Sequence, residues 1–147
     1  METELAIGIS VVILTFNSDK SIETTLLAAK SVSDDIHVVD SFSTDRTEEI
    51  VRAAGAHFYQ HGFVNYGAQR NWAIDNLPLR HGWELHLDAD ERPSPDLAQQ
   101  LRALTAASVE GVDGFRILDP SPFILPRPGD PARWHVSDLA LPAVSAR

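Results

Sequence analysis

A chain of 147 residues, 44% hydrophobic and 22% charged, has the size and composition of one ordinary globular domain that buries a core without staples. It has no cysteine, which excludes disulfides, thiolate metal sites and cysteine nucleophiles and fits a reducing compartment. Its net charge of −9 repels phosphate backbones and argues against nucleic acid as a partner.

The first residues, Met1-Glu2-Thr3-Glu4, are acidic and unlike a signal peptide. The apolar run Val11–Leu14 is far too short to span a bilayer. A cytoplasmic protein is expected, one that meets the inner face of the cytoplasmic membrane only peripherally.

Residues 7–16 are β-branched and almost continuously apolar, as in a strand buried on both faces of a parallel sheet. Ser18 is a candidate N-cap for a helix to about Ser31, with Ile22, Leu26 and Ala29 on one face. Residues 35–40 read as a second strand. Asp45 is placed to cap the next helix, with Glu48 three residues on as its capping-box partner and Gly55 as its terminator. A short strand is expected at 56–60 and a helix at 65–77, stopped by Pro78. Residues 83–88 form a fourth strand. Ser94-Pro95-Asp96 opens a helix whose inner stripe is Leu97, Leu101 and Leu104. Residues 114–117 are a candidate fifth strand.

This alternation predicts an α/β fold: a mostly parallel, Rossmann-like sheet with helices on both faces. Ligands bind such sheets beyond the carboxyl ends of the strands, which directs attention to Thr15 and Asn17, Asp40 and Ser41, and Asp88 and Asp90.

The C-terminal region differs. Residues 116–147 hold six of the nine prolines and carry 4 basic and 3 acidic residues, a net of +1. Residues 1–115 carry 8 basic and 18 acidic residues, a net of −10. The expected division is an α/β domain at 1–117 and an irregular proline-rich tail at 118–147. The preferred reading makes that tail the truncated or out-of-frame end of a longer gene, with a flexible extension as its alternative.

Asp88 and Asp90 lie two residues apart just past an apolar strand. Hard cations such as Mg²⁺ or Mn²⁺ take one or two carboxylates together with substrate phosphates, and this pair suits that task. Asp40 precedes the helix cap at a strand end, where a carboxylate accepts from a ribose or a base N–H. Arg70 shares a helix face with Tyr66, Ala73 and Leu77 that otherwise looks inward, so its guanidinium needs an anion or a carboxylate partner. The carboxylates of residues 40, 88 and 90 are expected to converge on one cleft. His57 with His61, and His81 with His86, lack convincing zinc spacing and read as surface or satisfied histidines. Trp72, Trp83 and Trp134 read as packing residues.

Together, Leu14-Thr15-Phe16-Asn17, residues 40–47, Ala68-Gln69-Arg70-Asn71 and Asp88-Ala89-Asp90 resemble the family-2 glycosyltransferases of GT-A fold in order and spacing. The runs 64–73 and 86–92 look most like bacterial lipopolysaccharide-core β-1,4-glucosyltransferases, over the N-terminal, nucleotide-sugar-binding portion only. The resemblance implies a nucleotide-diphosphate sugar donor, UDP-linked, and a glycan or glycolipid acceptor. It implies nucleoside contacts from Thr15 and Asp40, a nucleotide contact from Arg70, a ribose or metal contact from Asp88, and a metal contact from Asp90. Many members carry a second acid after the second strand; here that position is Ser41. The implied reaction is a single displacement that inverts the anomeric centre, assisted by a carboxylate base. In the family that base follows the fifth strand. Asp119, Asp130 and Asp138 stand in this region without a recognisable pattern, so the catalytic residue stays unassigned.

Three rivals are weighed. A non-catalytic nucleotide-sugar-binding fragment lacks the acceptor half. A Mg²⁺ phosphohydrolase lacks a matched downstream lysine or acid cluster. A dinucleotide oxidoreductase lacks the glycine-rich turn after the first strand.

Overall fold

The computed structural model describes residues 7–104. The candidate strand at 114–117, the tail from 118, Trp134 and the three tail aspartates lie outside them.

Strand and helix alternate as β1 (Ile9–Thr15), α1 (Ile22–Lys30), β2 (Asp35–Asp40), α2 (Thr47–Ala53), β3 (His57–Gln60), α3 (Tyr66–Asn76), β4 (Trp83–Asp88) and α4 (Pro95–Arg102). The four strands form one parallel sheet in the order β3-β2-β1-β4. The α/β architecture expected from the sequence is present.

Strand order explains the layers. From β1 the chain steps outward through α1 to β2 and through α2 to β3, then returns through α3 to pair β4 with the other edge of β1. Parallel crossovers are right-handed, so reversing the direction of travel moves the connecting helix to the opposite face. Side chains of β1 alternate accordingly. Val11 and Ile13 pack with Ile22 and Leu26 of α1, Val51 of α2 and Leu97 and Leu101 of α4. Val12 and Leu14 pack with Ala73 of α3 and Leu77. Every residue of β1 is buried.

Helix ends follow local chemistry. Ser94 accepts from Leu97 N–H at 3.1 Å, and Asn65 accepts from Ala68 N–H at 2.8 Å. Leu77 turns to extended backbone before Pro78, as the proline ring requires. Gly55 ends α2 at φ 81, a conformation suited to glycine. Gly8 faces the His81 ring so closely that a Cβ there would lie 2.3 Å from Nδ1.

Two starts differ from expectation. α1 begins at Ile22 with Ser21 as its N-cap, and Ser18 sits in the preceding turn. The Ser18 hydroxyl is engaged locally, accepting from Phe16 N–H at 3.1 Å, while its carbonyl accepts from the Ser21 and Ile22 amides. α2 begins one residue late, with Arg46 at the cap. Glu48 therefore falls at the second helical position rather than the third, out of reach of a capping box, and pairs with Arg52 at 2.9 Å instead.

The loops after β1 and β2 are cross-tied. Asn17, at φ 46, donates its amide to Ser43 Oγ at 2.7 Å and accepts from Thr44 N–H at 2.8 Å. Ser18 N–H reaches Thr47 Oγ1, and Asp19 N–H reaches Asp45 Oδ2 at 3.1 Å. Asp45 also holds the Thr47 amide and hydroxyl at 2.9 and 2.6 Å. Burial pushes the Asp45 carboxyl up, but the hydrogen bonds from Thr47 and Asp19 outweigh it and hold it below the ordinary aspartate value. Such a group stabilises the fold above its unfolded pKa and stops doing so as pH falls through the folded one.

Asp45→Ala is expected to cost about 1 kcal/mol at pH 7, by analogy with lost helix caps. Urea titrations should show that gap to wild type closing below about pH 4. Ile13→Ala, which empties a fully buried position shared by three helices, should cost about 3 kcal/mol in the same assay.

Candidate functional site

Strand order reverses between β1 and β4, and α/β sheets bind ligands beyond the carboxyl ends of the strands at such a switch point. Three sequence-selected residues end strands there: Thr15 ends β1, Asp40 ends β2 and Asp88 ends β4. Register places Thr15 beside Asp40, and Leu14 beside Asp88.

The shared edge is not a shared contact shell. By strand alternation Thr15 and Asp40 belong with Ile13 and Val38 on the α1/α2 face, whereas Asp88 belongs with Leu14 on the α3 face. Asp40 is fully buried, and its carboxylate is enclosed by donors. Thr15 Oγ1 donates at 2.7 Å, Ser43 donates its amide at 2.7 Å and its hydroxyl as well, and Gln60 Nε2 lies at 3.4 Å. These bonds fix the loop that carries Ser41 and Phe42. The β1 ladder extends into it, since Ser41 N–H donates to the Thr15 carbonyl at 2.9 Å.

On the α3 face, Arg70 is 2% exposed and donates through Nη2 to Asp88 Oδ1 at 2.8 Å. Its Nε and Nη1 are buried and find no hydrogen-bond partner among the described residues. Burial pulls the guanidinium pKa down, against the opposing charges of Asp88 and Glu91; the group remains a cation at neutral pH. A buried guanidinium with donors to spare is a site prepared for oxygen acceptors.

The turn after β4 is braced on both sides. Glu91 is buried, accepts from Asp88 N–H at 2.8 Å and donates its own amide to the Asp88 carbonyl at 3.0 Å. Thr25 of α1 donates to the Ala89 carbonyl at 2.5 Å. Asp90 is left exposed in this turn, and Asp88 keeps its second oxygen beyond the Arg70 contact. Two carboxylates at a fixed turn are oxygen donors of the kind that Mg²⁺ or Mn²⁺ accepts, with the remaining positions open to substrate phosphates. No third acid or histidine completes a ligand cluster at this turn among the described residues.

Several residues of this rim escaped the sequence reading. Gln69 is buried in α3 and ties three segments: Nε2 donates to the His61 carbonyl at 2.9 Å and approaches Ser41 Oγ at 3.3 Å, and Oε1 meets His61 Nδ1 at 2.8 Å. Its only advance signal was its place beside Arg70. Phe42 holds a left-handed φ of 63 with its ring exposed, a strained state for a bulky side chain, and Phe16 is 60% exposed at the same rim. Nothing in a linear reading marks either ring as outward.

The four histidines read from the sequence as surface or satisfied are exposed or bonded, and His57 is an exposed one. His86 bonds Glu84 at 3.0 Å, His81 bonds Asp34 at 3.1 Å, and His61 stacks on Trp72 at 4.3 Å. Trp72 and Trp83 pack against the two cores.

Residues 10–135 match the family model described as glycosyl transferase family 2. An uncharacterised glycosyltransferase of Rickettsia bellii is 32% identical over 99 residues, covering 67% of this chain and 33% of that protein. Another, from Rickettsia conorii, is 31% identical over 107 residues, covering 73% and 37%. The chain thus spans about a third of the length of these curated relatives. Among solved structures, glucosyl-3-phosphoglycerate synthase from Mycobacterium tuberculosis, in complex with Mn²⁺, UDP and glucosyl-3-phosphoglycerate, gives a TM-score of 0.50 at 24% identity. It covers 57% of this chain and 34% of that chain, and the likeness is one of GT-A fold. On the family match and these relatives, the chain belongs to glycosyl transferase family 2.

Proposed function

We propose that this chain is the donor-binding part of an inverting, metal-dependent glycosyltransferase that takes a UDP-linked sugar and serves a cell-envelope glycan acceptor such as lipopolysaccharide core. The observation that carries the reading is Arg70: a buried cation with two open nitrogens, fastened to Asp88 at the sheet's switch point.

Roles follow from position. Arg70 offers its open N–H groups to oxygens of the nucleotide. Asp88, steered by Arg70, faces the ribose or the cation with its second oxygen, and Asp90 takes the cation from the exposed turn. When bound, Mg²⁺ or Mn²⁺ would neutralise charge on the departing diphosphate and fix its geometry. Thr15 and Asp40 define the nucleoside end. With Asp40 enclosed by donors, its part is to hold Asn17, Ser41 and Phe42 in place, and it reaches a nucleoside directly only if that loop opens. Phe16 and Phe42 offer flat apolar faces for a base.

The solved relative bound to UDP and Mn²⁺ supports the donor class by its fold, and the acceptor rests on the likeness of residues 64–73 and 86–92 to lipopolysaccharide-core enzymes. A location at the inner face of the cytoplasmic membrane follows from that acceptor. No helix among the described residues is long and apolar enough to cross a membrane. A second reading keeps donor binding without transfer.

Calorimetry with UDP tests the site. Wild type should bind in a Mn²⁺-dependent manner, and Asp90→Ala should lose that dependence; equal metal-dependent binding by both removes Asp90 from the site. Arg70→Met removes the cation and leaves the partly buried Asp88 without its partner, so its urea midpoint should fall; in buffer, where circular dichroism shows it folded, it should bind UDP at least tenfold more weakly, a loss of about 1.4 kcal/mol. Turnover of UDP-glucose with a lipopolysaccharide-core acceptor separates enzyme from fragment: UDP binding with no transfer selects the fragment.

A further inference from the structure

At the opposite end of the sheet, Asp35, His37 and His57 bring one ligand atom each within 4.8 Å of one another. The register produces this group. Asp35 and His37 are two apart on β2 and so share a face, and His57 of β3 is the direct cross-strand partner of His37. We infer that Asp35, His37 and His57 form a structural site for a zinc-class cation, which clips the edge strand β3 to β2.

Two of the three ligands are rigid. Asp35 and His37 are each 1% exposed, with Oδ1 2.8 Å from Nε2. Asp35 Oδ2 is held by Ser10 Oγ at 2.7 Å and by the Arg80 amide at 2.9 Å, which aims Oδ1 towards the two rings. His37 Nδ1 lies 3.0 Å from the Tyr59 hydroxyl. Outer partners of this type fix ring orientation and tautomer in metal sites. Without a cation, His37 carries its proton on Nε2 towards Asp35, and Nδ1 accepts from Tyr59. With one, the proton moves to Nδ1 and the Tyr59 oxygen accepts it. The hydroxyl serves either state by rotating, so opening Nε2 for a cation keeps Nδ1 paired.

His57 is the adjustable ligand. Its side chain is 58% exposed, its ring stacks on His37 at 4.7 Å, and its Nε2 stands 4.0 Å from Asp35 Oδ1. Ligand atoms about 2.0–2.1 Å from a tetrahedral cation lie roughly 3.3 Å from each other. The distances of 2.8 and 4.0 Å bracket that value, and the movement needed falls on the exposed ring. The exposure of the His57 ring gives solvent and ions access to this group. Two imidazoles and one carboxylate select Zn²⁺, Co²⁺ or Ni²⁺ over Mg²⁺ or Mn²⁺. A water would fill the fourth position.

This site is separate from the rim where a donor would bind. Asp35 opens β2 and Asp40 ends it, a span of roughly 16 Å at strand rise. The benefit falls on β3, a four-residue edge strand with no fully buried position.

The test is titration of the chelator-stripped chain with Zn²⁺ by calorimetry, and with Co²⁺ followed by its visible ligand-field bands. Wild type should bind one equivalent with a rise in Tm. His57→Ala, a surface change, should bind at least tenfold more weakly and lose the Co²⁺ bands. His81→Ala should bind as wild type does. Absence of stoichiometric binding by wild type, or unchanged binding by His57→Ala, overturns the assignment. UDP takes no part in this measurement, so its outcome is independent of the donor-binding reading.

Discussion

The constraint on which this structure depends is that β1 is enclosed on every side. β2 and β4 hydrogen-bond to its two edges, and helices cover both of its faces. A strand in that position has no surface to satisfy except apolar ones, which is why Val11, Val12 and Ile13 are wholly buried. Because β1 is central, the chain must leave it in one direction and return to its other edge. That return places α3 on the opposite face and makes the switch point between β1 and β4. The proposed donor site therefore lies at the ends of the most buried element, where a rigid backbone holds polar ends in place.

The two faces use polar chemistry differently at that edge of the sheet. On the α1/α2 face, Thr15, Asp40 and Ser43 close upon one another and stiffen two loops. A carboxylate so enclosed is a brace, and its worth lies in the residues it orients. On the α3 face the account is left open: Arg70 spends one nitrogen on Asp88 and keeps two in reserve. Leaving buried donors unmade costs on the order of 1–3 kcal/mol, which is why these two nitrogens carry the proposed donor site. At the amino end Ser10, Asp35, His37 and Tyr59 form a polar row in which each described bond is made within the row or to neighbouring backbone.

Much of this was legible in the chain itself. Continuous β-branched residues announced β1, the Ser94-Pro95 start announced α4, and the alternation announced a parallel sheet with helices on both sides. These signals are local: caps, proline geometry and side-chain period act within a few residues. The errors were local too. Ser18 and Glu48 were misread because the helices begin a few residues or one residue later, and a capping box fails if its acid shifts by one position. The family motifs also drew attention to Arg70 and Asp88, which the structure pairs.

What the sequence determined by itself is the set of elements, their order and the residues that end the strands. Only the tertiary structure decided which of those residues meet. Pairing of Arg70 with Asp88, enclosure of Asp40 by Thr15 and Ser43, and apposition of His57 with His37 each join segments that are distant in sequence. Strand register and the side from which each crossover returns set these contacts. Both are long-range properties, fixed by the burial of the whole sheet rather than by any neighbouring residue.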